Sequence, residues 1–399
     1  MIVSDQIHIG VVTHHNYPTD IEVRITKFIN LFCKEGFKTT VFCPNLNANK
    51  QKNFKDFFLC AKSNRELNFL QNLWNAPIPI NPVWFFWLFK KFKNSYVNLI
   101  IVRDLRLFLP AYIAAKLLNK KIILDIGEHY PGMMEVIGKQ KLIHYITRNV
   151  TLISILETFS VYLADSVWVV AKENMERLTN INNHIEVISN NPIDDSWKNY
   201  PSIRIKKYSL NEKPLQLISF GLIDNIRGLD FAIDLIDLIK EELPNVCLVI
   251  FGDGPYKRTL EQKSVQMNLQ NKILFKGWIS SSKKYHALAK GDLGIIFHKE
   301  CKLTNHTIPN KIFDYMSMGI PVISTNLNPL KRIINKEKCG YIISNSKEKA
   351  SKQIIEIIKD SDSRSKCSVN ARKAMIDGYK WEHDEKKIIN CIKELIPQQ

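Results

Sequence analysis

The stretch from Thr304 to Thr325 carries polar side chains whose spacing suits a phosphate group beside two hydroxyl groups. Asn310 and Lys311 lie at the start of a predicted helix, where unbonded backbone N–H groups and the helix dipole favour a phosphate or diphosphate. Asp314 follows one turn later on the same face, and its carboxylate suits two vicinal hydroxyls such as those of a ribose. These residues alone fit a phosphate-and-ribose site and an ordinary surface helix with a solvated Asp314 equally well.

A short amphipathic helix between a polar loop and a buried strand would position these side chains. Pro309 is compatible with a first helical turn, because a residue there needs no amide donor. The apolar side of this helix comprises Ile312, Phe313, Tyr315 and Met316. Gly319 is predicted to end the helix, and Pro321 cannot continue it. Residues 321–324 then have the pattern of a short buried strand.

The sequence PNKIFDYMSMGIPVI, which begins at Pro309, resembles the nucleotide-sugar signature of glycosyltransferase family 4. The resemblance implies the GT-B fold, an α/β fold of two Rossmann-like, doubly wound parallel-sheet domains facing across a cleft. It also implies sugar transfer with retention of configuration. Family members usually carry two Glu residues, at the positions of His306 and Asp314 here. The resemblance therefore assigns the transferred sugar to His306 and the ribose to Asp314.

The second half of the chain contains three further stretches that could contact a nucleotide sugar. Arg227-Gly228 precedes an amphipathic helix and places a fixed cation beside exposed amides. The turn at Gly252 and Gly254 resembles the family's G-x-G-P, although such turns also serve as plain strand-to-helix connections. The resemblance further implies that the backbone near Gly277 meets the nucleotide base. The family often carries two phosphate-binding cations in this loop, an Arg and, a few residues later, a Lys. Leu222 stands at the Arg position and Arg227 at the Lys position, so one of the two cations is missing.

The first half alternates strands and helices from the strand Ile7–Val12 onward, which predicts a parallel sheet with ligands at its carboxyl edge. His14, His15 and Asn16 follow that first strand and are candidates for a loop near the donor phosphate. Histidines in loops are, however, more often plain solvated residues.

Two other strand ends supply candidates for catalysis and acceptor contact. Asp104 follows the predicted strand Leu99–Val102, and a capping role for it is equally plausible. Glu128 and His129 follow the next strand in a segment that resembles the family's D-x-H-E-x-x-P. Gly127 stands where the family has the His.

The length of 399 residues allows two domains, each with its own core. We expect an N-terminal, acceptor-side domain at residues 1–195 and a polar linker at residues 196–214. A C-terminal nucleotide-sugar-binding domain is expected at residues 215–379. The resemblance implies that a last helix, at residues 380–399, packs back onto the first domain.

The net charge of +17 calls for an explanation. Residues 50–150 hold 16 Lys and Arg against 6 Asp and Glu, so anionic lipids, an acidic acceptor or nucleic acid are candidate partners. A genome whose coding bias favours lysine would give the same surplus of positive charge. Residues 82–93 combine six aromatic side chains with Lys90, Lys91 and Lys93, which predicts contact with a membrane surface. The alternative is a buried helix whose aromatic side chains fill the core.

The chain carries no signal of secretion or of membrane spanning. Its 8 cysteines lack zinc or C-x-x-C spacing, and its first residues are predicted to form a strand and not a signal peptide. The longest apolar run, from Thr151 to Val170, is broken by Glu157 and Asp165. We therefore expect a cytoplasmic protein that is at most peripheral at the inner face of the plasma membrane.

Metal and cofactor binding are not expected. The one D-x-D sequence, a pattern that can bind a metal ion, is Asp360-Ser361-Asp362, and it lies in a polar stretch away from every predicted strand end. Arg227, Lys311 and helix N-termini must then stabilise a departing diphosphate.

The function that these observations favour is sugar transfer from a nucleotide-sugar donor to a lipid-linked or saccharide acceptor, as in bacterial surface polysaccharide synthesis. A nucleotide-sugar epimerase of the same fold is one alternative, and it would convert donor without acceptor. A non-catalytic sugar-nucleotide-binding subunit is another, suggested by His306 and Leu222. Nucleic-acid binding is suggested by charge alone and is not expected, because aromatic and basic motifs are not interleaved across several strands.

Overall fold

A computed structural model describes residues 7–17, 23–44, 57–61, 81–103, 105–138, 144–192, 196–201, 205, 207–210 and 213–396. The chain divides into two compact units. The first unit comprises residues 1–190 and 384–399, and the second comprises residues 191–383. The candidate Asp104 and several residues of the expected linker lie outside the described residues.

The first unit is built on a seven-stranded parallel sheet. Its strands are β1 His8–Val12, β2 Lys38–Cys43, β3 Phe57–Ala61, β4 Leu99–Val102, β5 Lys121–Ile126, β6 Ser166–Val169 and β7 Ile185–Val187. Their order across the sheet is β3-β2-β1-β4-β5-β6-β7. β1 and β4 are buried along their whole length, as expected of strands covered on both faces. The carboxyl ends of β1, β4 and β5 are therefore neighbours.

The helices of the first unit are α1 Val23–Lys34, α2 Pro82–Ser95, α3 Leu105–Leu117, α4 Tyr130–Ile137, α5 His144–Thr147, α6 Val150–Leu163 and α7 Lys172–Glu176. Asparagine side chains cap the start of two of them. Asn81 Oδ1 accepts the amide of Val83 over 3.0 Å at the start of α2. Asn149 Oδ1 accepts the amide of Leu152 over 3.1 Å at the start of α6. Each side chain satisfies an amide that the helix itself leaves unbonded.

The structure of helix α2 contradicts part of the membrane contact that was predicted for residues 82–93. Trp84, Leu88 and Phe92 repeat every four residues, so they share one face of the helix and lie in the core. Trp84 is only 3% exposed, and the ring centroid of Trp87 lies 6.3 Å from that of Phe42. The prediction that Trp84 contacts a membrane is therefore wrong, since the core holds its ring. Phe86, at 68%, is the exposed large apolar side chain of this helix.

The second unit is built on a six-stranded parallel sheet. Its strands are β8 Leu215–Phe220, β9 Val246–Phe251, β10 Ile273–Gly277, β11 Leu293–Ile296, β12 Val322–Thr325 and β13 Gly340–Ile343. Their order across the sheet is β10-β9-β8-β11-β12-β13. The chain therefore leaves β8 toward one edge and returns at β11 toward the other, which is a topological switch point.

Helices cover both faces of the second sheet. They are α8 Leu229–Ile239, α9 Lys257–Gln266, α10 Lys284–Leu288, α11 Lys311–Met318, α12 Asn328–Glu337, α13 Lys347–Lys359 and α14 Ser361–Gly378. α8 and α13 share one core cluster, and α11, α12 and α14 share another. Asp360 Oδ1 accepts the amide of Ser363 over 2.8 Å and so caps α14, which gives the D-x-D spelling a structural role.

The last helix, α15 Trp381–Leu395, joins the first unit from Asp384 onward. Trp168 Nε1 donates to Cys391 Sγ over 3.3 Å, and Lys387 Nζ donates to the carbonyl oxygen of Val187 over 2.9 Å. These bonds fix the helix beside β6 and β7.

Candidate functional site

The crevice between β8 and β11 is where a doubly wound sheet binds its ligand, because the loops after these strands diverge there. The loop from Gly221 to Gly228 follows β8, and Phe297 and His298 follow β11. The amide of Lys299 donates to the carbonyl oxygen of Ile226 over 2.9 Å, so the two loops are bonded to each other.

Glycines allow the loops at this edge to pack backbone against backbone. Gly252 and Gly254 have φ of 145° and 158°. A Cβ at either position would overlap the carbonyl oxygen of Gly221 or Ile223. Gly228, with φ of 63°, is in the left-handed region, and a Cβ there would overlap the carbonyl oxygen of Phe297. The predicted Gly turns therefore hold the loops of β8, β9 and β11 together.

Basic side chains converge at the switch point. Arg227 Nη1 lies 3.4 Å from Nε2 of His298, and Arg227 Nε lies 3.4 Å from Oδ2 of Asp224. Asp224 also caps the short 3₁₀ turn Asn225–Arg227 by accepting the amide of Ile226 over 3.1 Å. Lys311, from the first turn of α11, contributes its positive charge to the same group.

The charges in this group act on one another. Burial and then the charge of Arg227 lower the pKa of Lys311 from 10.5 to about 7, although Asp224 and Asp314 oppose the change. Burial, followed by the charges of Lys311 and Arg227, holds the pKa of His298 well below its ordinary value of 6.5. Positive charge is therefore concentrated here, and an anion would relieve the repulsion.

Helix α11 starts two residues later than a helical Pro309 requires. Asn310 is the N-cap, without a side-chain capping bond, and Lys311 is the first helical residue. Pro309 therefore precedes the helix, and its carbonyl oxygen accepts the amide of Ile312 over 3.1 Å. Gly319, with φ of 68°, ends the helix in the left-handed conformation, which confirms the predicted end.

Asp314 is buried, at 8% exposure, so the alternative of a solvated carboxylate is wrong. Lys284 Nζ, at the start of α10, donates to its Oδ1 over 2.6 Å. The apolar side chains of α11 hold this arrangement. Tyr315 lies against Gly294 of β11, and its hydroxyl donates to the carbonyl oxygen of Ile218 over 3.2 Å.

Two other donor-side candidates lie at the edge of the second unit. Gly277 ends β10 with φ of 72°, and its carbonyl oxygen accepts the amide of Gly252 over 2.8 Å. Trp278 beside it is largely exposed. His306 lies in the loop before α11, where its Nδ1 is 2.7 Å from the carbonyl oxygen of Lys302. This bond orients the imidazole within its own loop.

In the first unit, the loop candidates follow β1. The ring centroids of His14 and His15 lie 3.6 Å apart, and the amide of His15 donates to Thr13 Oγ1 over 3.1 Å. Both histidines are half-buried, and Asn16 is exposed. The structure therefore places this loop at the carboxyl edge, and His14 and His15 are more buried than solvated loop residues.

The candidates after β5 differ in their surroundings. His129 is buried, and its Nδ1 accepts the amide of Gly132 over 2.8 Å as the N-cap of α4. Glu128 is exposed. A Cβ added to Gly127 would overlap the guanidinium of Arg103, whose Nε lies 3.4 Å from Asp125 Oδ2. Arg103 thus fills the space that a side chain at position 127 would need.

Three residues of this site were missed in the sequence. Lys284 lies 30 positions before Asp314, and no local pattern connects the two. Asp224 is hidden within an ordinary polar turn. His298 could have been found, because a polar side chain directly follows a buried strand at the switch point.

Among the described residues, no group of three His, Cys, Asp or Glu side chains is arranged to hold a metal ion. In the same part of the chain, no helix has the length and apolar character needed to cross a membrane.

Comparison with known proteins agrees with this architecture. Residues 202–374 match the family model described as glycosyl transferases group 1. The chitobiosyldiphosphodolichol beta-mannosyltransferase of Candida albicans (strain SC5314) is 31% identical over 135 residues, which cover 32% of this chain and 29% of that protein. The GDP-mannose-dependent alpha-(1-6)-phosphatidylinositol monomannoside mannosyltransferase of Mycobacterium tuberculosis is 20% identical over 196 residues. These residues cover 47% of this chain and 49% of that protein. The chain thus spans less than a third of the first of these relatives and about half of the second.

Solved structures extend the likeness to the whole chain. A glycosyltransferase from Rickettsia africae ESF-5 superposes with a TM-score of 0.70 at 15% identity, covering 99% of this chain and 100% of that one. Anabaena Alr3699/HepE in complex with UDP and glucose superposes with a TM-score of 0.70 at 13% identity. The superposition covers 98% of this chain and 100% of that one. At these identities the likeness concerns the fold alone. The fold is GT-B, with two Rossmann-like, doubly wound parallel-sheet domains.

Proposed function

We propose that the protein is a glycosyltransferase that moves a sugar from a nucleoside-diphosphate-sugar donor to a lipid-linked or polysaccharide acceptor. The observation that carries the proposal is the convergence of Arg227, His298 and Lys311 at the switch point of the second sheet. The guanidinium of Arg227, the amine of Lys311, which a bound anion would keep protonated, and the neutral imidazole of His298 form a site for a diphosphate beside the first turn of α11. The names of the matched relatives support a sugar transferase.

The chemistry assigned to these residues is stabilisation of the leaving diphosphate. Charge on the leaving group grows as the bond to the sugar breaks, so Arg227 and Lys311 bind the transition state more tightly than the donor. Because two cations are present, we further propose that transfer does not need a metal ion. Retention of configuration and a role in bacterial surface polysaccharide synthesis in the cytoplasm belong to the same proposal.

The remaining contacts follow the sequence expectations. Asp314, oriented by Lys284, would accept the ribose hydroxyls, and the backbone at Gly277 would meet the base. His306 and Asn310 would lie along the transferred sugar and the phosphates. In the first unit, Glu128 is the exposed candidate for the acceptor, because His129 already caps α4.

Ligand-dependent melting of the protein tests the proposal. Nucleoside diphosphates and nucleotide sugars should raise the melting temperature, since they bind only the folded state. Lys311→Met should abolish the rise for both ligands, and Lys331→Met, on the exposed side of α12, should not change it. No rise with any nucleoside diphosphate in the wild type would refute the donor site. Binding without release of diphosphate in the presence of acceptors would favour the non-catalytic subunit.

A further inference from the structure

Two large apolar side chains are exposed at the carboxyl edge of the second sheet. Leu222 lies in the loop after β8 and is 49% exposed. Trp278 directly follows Gly277, the last residue of β10, and is 72% exposed. An indole presents a flat apolar face, and leaving that face in water is unfavourable. Trp278 is therefore suited to stacking on a planar ligand at this edge.

Leu222 and Trp278 lie on either side of β9. The strand order β10-β9-β8 means that the loops carrying them flank the end of β9. The amide of Gly252, at that end, donates to the carbonyl oxygen of Gly277 over 2.8 Å. On the other side, a Cβ at Gly252 would overlap the carbonyl oxygen of Gly221. The three loops are thus in backbone contact immediately before Leu222 and Trp278.

The surface between these two side chains is mostly backbone. Gly252 and Gly254 carry no side chain, and Oδ1 of the intervening Asp253 accepts the amide of Gly254 over 2.8 Å, within its own turn. β8 and β10 are two strand spacings apart, or roughly 10 Å, which leaves room for a flat ring between the side chains that follow them. The residues Leu222, Gly252, Gly254 and Trp278 are called the β9 edge.

The chain that leaves the β9 edge leads to the residue proposed to bind the ribose. After Trp278 it forms the 3₁₀ turn Ser281–Lys283 and then α10, whose first residue, Lys284, is bonded to Asp314 over 2.6 Å. The crevice between β8 and β11 lies two and a half strand spacings, or roughly 12 Å, from β10. The ribose and base of a nucleotide can bridge this distance when its diphosphate lies in the crevice.

We propose that Trp278 stacks on the base of the bound nucleotide, with Leu222 against the opposite side of the ring. Every base has an apolar face on which an aromatic side chain stacks. The resemblance to the family implied a contact from the backbone near Gly277, whereas the proposed contact is made by two side chains of this chain. The inference rests on the proposed function, because it requires a nucleotide in the donor site.

Titration calorimetry with nucleoside diphosphates and with inorganic pyrophosphate tests this contact. Trp278→Ala should weaken each nucleoside diphosphate that the wild type binds by about tenfold, because the stacked ring is lost, and should leave the affinity for pyrophosphate unchanged. Trp278→Phe keeps an aromatic face and should recover most of the affinity, and Leu222→Ala should lose less than Trp278→Ala. Both side chains are exposed, so these variants should melt like the wild type.

A matched control is Phe86→Ala, which removes a similarly exposed aromatic ring from the first unit and should bind every ligand like the wild type. Wild-type affinities in Trp278→Ala, beside a loss in Lys311→Met, would overturn the stacking and leave the proposed donor site in place. Equal losses for pyrophosphate and nucleoside diphosphates in Trp278→Ala would also overturn it, because the indole would then support the loops and not the base. No binding of any nucleoside diphosphate by the wild type would refute the proposed function and the stacking together.

Discussion

Lys284 Nζ lies 2.6 Å from Asp314 Oδ1, and both side chains are largely buried. Although burial acts to lower the pKa of Lys284, the charge of Asp314 and the neighbouring Tyr285 keep it above its usual 10.5. Lys284 therefore remains charged at neutral pH. It holds one carboxylate oxygen of Asp314, the residue proposed to bind the ribose, and so sets the direction in which Asp314 can accept other hydrogen bonds.

Removal of Asp314 should destabilise the second unit, because Asp314 is buried and paired with Lys284. Asp314→Ala leaves the buried Lys284 without its carboxylate, which should cost about 1–3 kcal/mol in the free energy of unfolding. Lys284→Met should cost a similar amount, and the double variant less than the two together. Urea denaturation of the four proteins measures this coupling.

A half-exposed ion pair at the end of α8 is the control for that cycle. Asp237 and Lys240 lie 2.7 Å apart, each about a third exposed, and their removal should change stability by less than about 1 kcal/mol. Strictly additive losses for Asp314 and Lys284 would show that the contact does not stabilise the fold.

A side chain at Gly228 should disturb the loop that carries Arg227. Gly228→Ala adds a Cβ that overlaps the carbonyl oxygen of Phe297, in addition to the strain of a positive φ. We expect a loss of about 2 kcal/mol or more in stability and a weaker affinity for nucleoside diphosphate. Gly36→Ala has a similar φ of 75° but open space around it, so it reports the strain alone. Equal melting temperatures for the two variants would contradict the proposed packing.

The sequence predicted the features that depend on neighbouring residues. Alternating strands and helices indicated two parallel sheets, and Gly319 indicated the end of α11. Contacts between distant residues could not be predicted, as Lys284 with Asp314 and Arg227 with His298 show. They depend on which strands become neighbours, and the spacing of residues along one segment does not contain that information.

The sequence also did not reveal which face of a helix points into the core and which is exposed. Aromatic content indicated residues 82–93 as a surface for lipid, but α2 turns Trp84 inward because the sheet offers that face an apolar partner. In α6 the reverse occurs. Glu157 suggested a polar interruption, yet it is buried in an ion pair with Arg177, and the exposed side is apolar.

Sugar transfer should not depend on a metal ion, because Arg227 and Lys311 are proposed to neutralise the diphosphate. We expect most of the rate to persist in excess chelator. Under the same conditions, Lys311→Met should lower the rate strongly, with or without added magnesium. A strict requirement for manganese or magnesium in the wild type would contradict this assignment.

Asp384 should make the first unit less stable above pH 6. Burial raises its pKa from 3.8 to about 6, although Lys387, the Ser189 amide and nearby cations oppose the change. The folded state therefore holds a proton that the unfolded state has lost between about pH 4 and 6, and stability falls as pH rises through this window. Asp384→Asn should raise stability by about 1–3 kcal/mol at pH 7.5, with little effect at pH 4. Glu385→Gln is the neighbouring control, and parallel pH curves for wild type and Asp384→Asn would refute the prediction.

Lys311 should couple diphosphate binding to proton uptake. Its pKa of about 7 without ligand should rise when an anion binds, so affinity should fall as pH increases from 7 to 9. Lys311→Arg keeps its charge and should lose this pH dependence. Calorimetry in buffers of different ionisation enthalpy, with nucleoside, nucleoside diphosphate and nucleotide sugar, counts the protons. The bare nucleoside should show no uptake. Without ligand, Lys311→Met should be more stable than wild type at pH 7, and this gain should shrink as pH rises toward 10.5, the pKa of the unfolded state, above which the wild-type amine is neutral in both states. Equal proton uptake by wild type and Lys311→Arg would place the titrating group elsewhere.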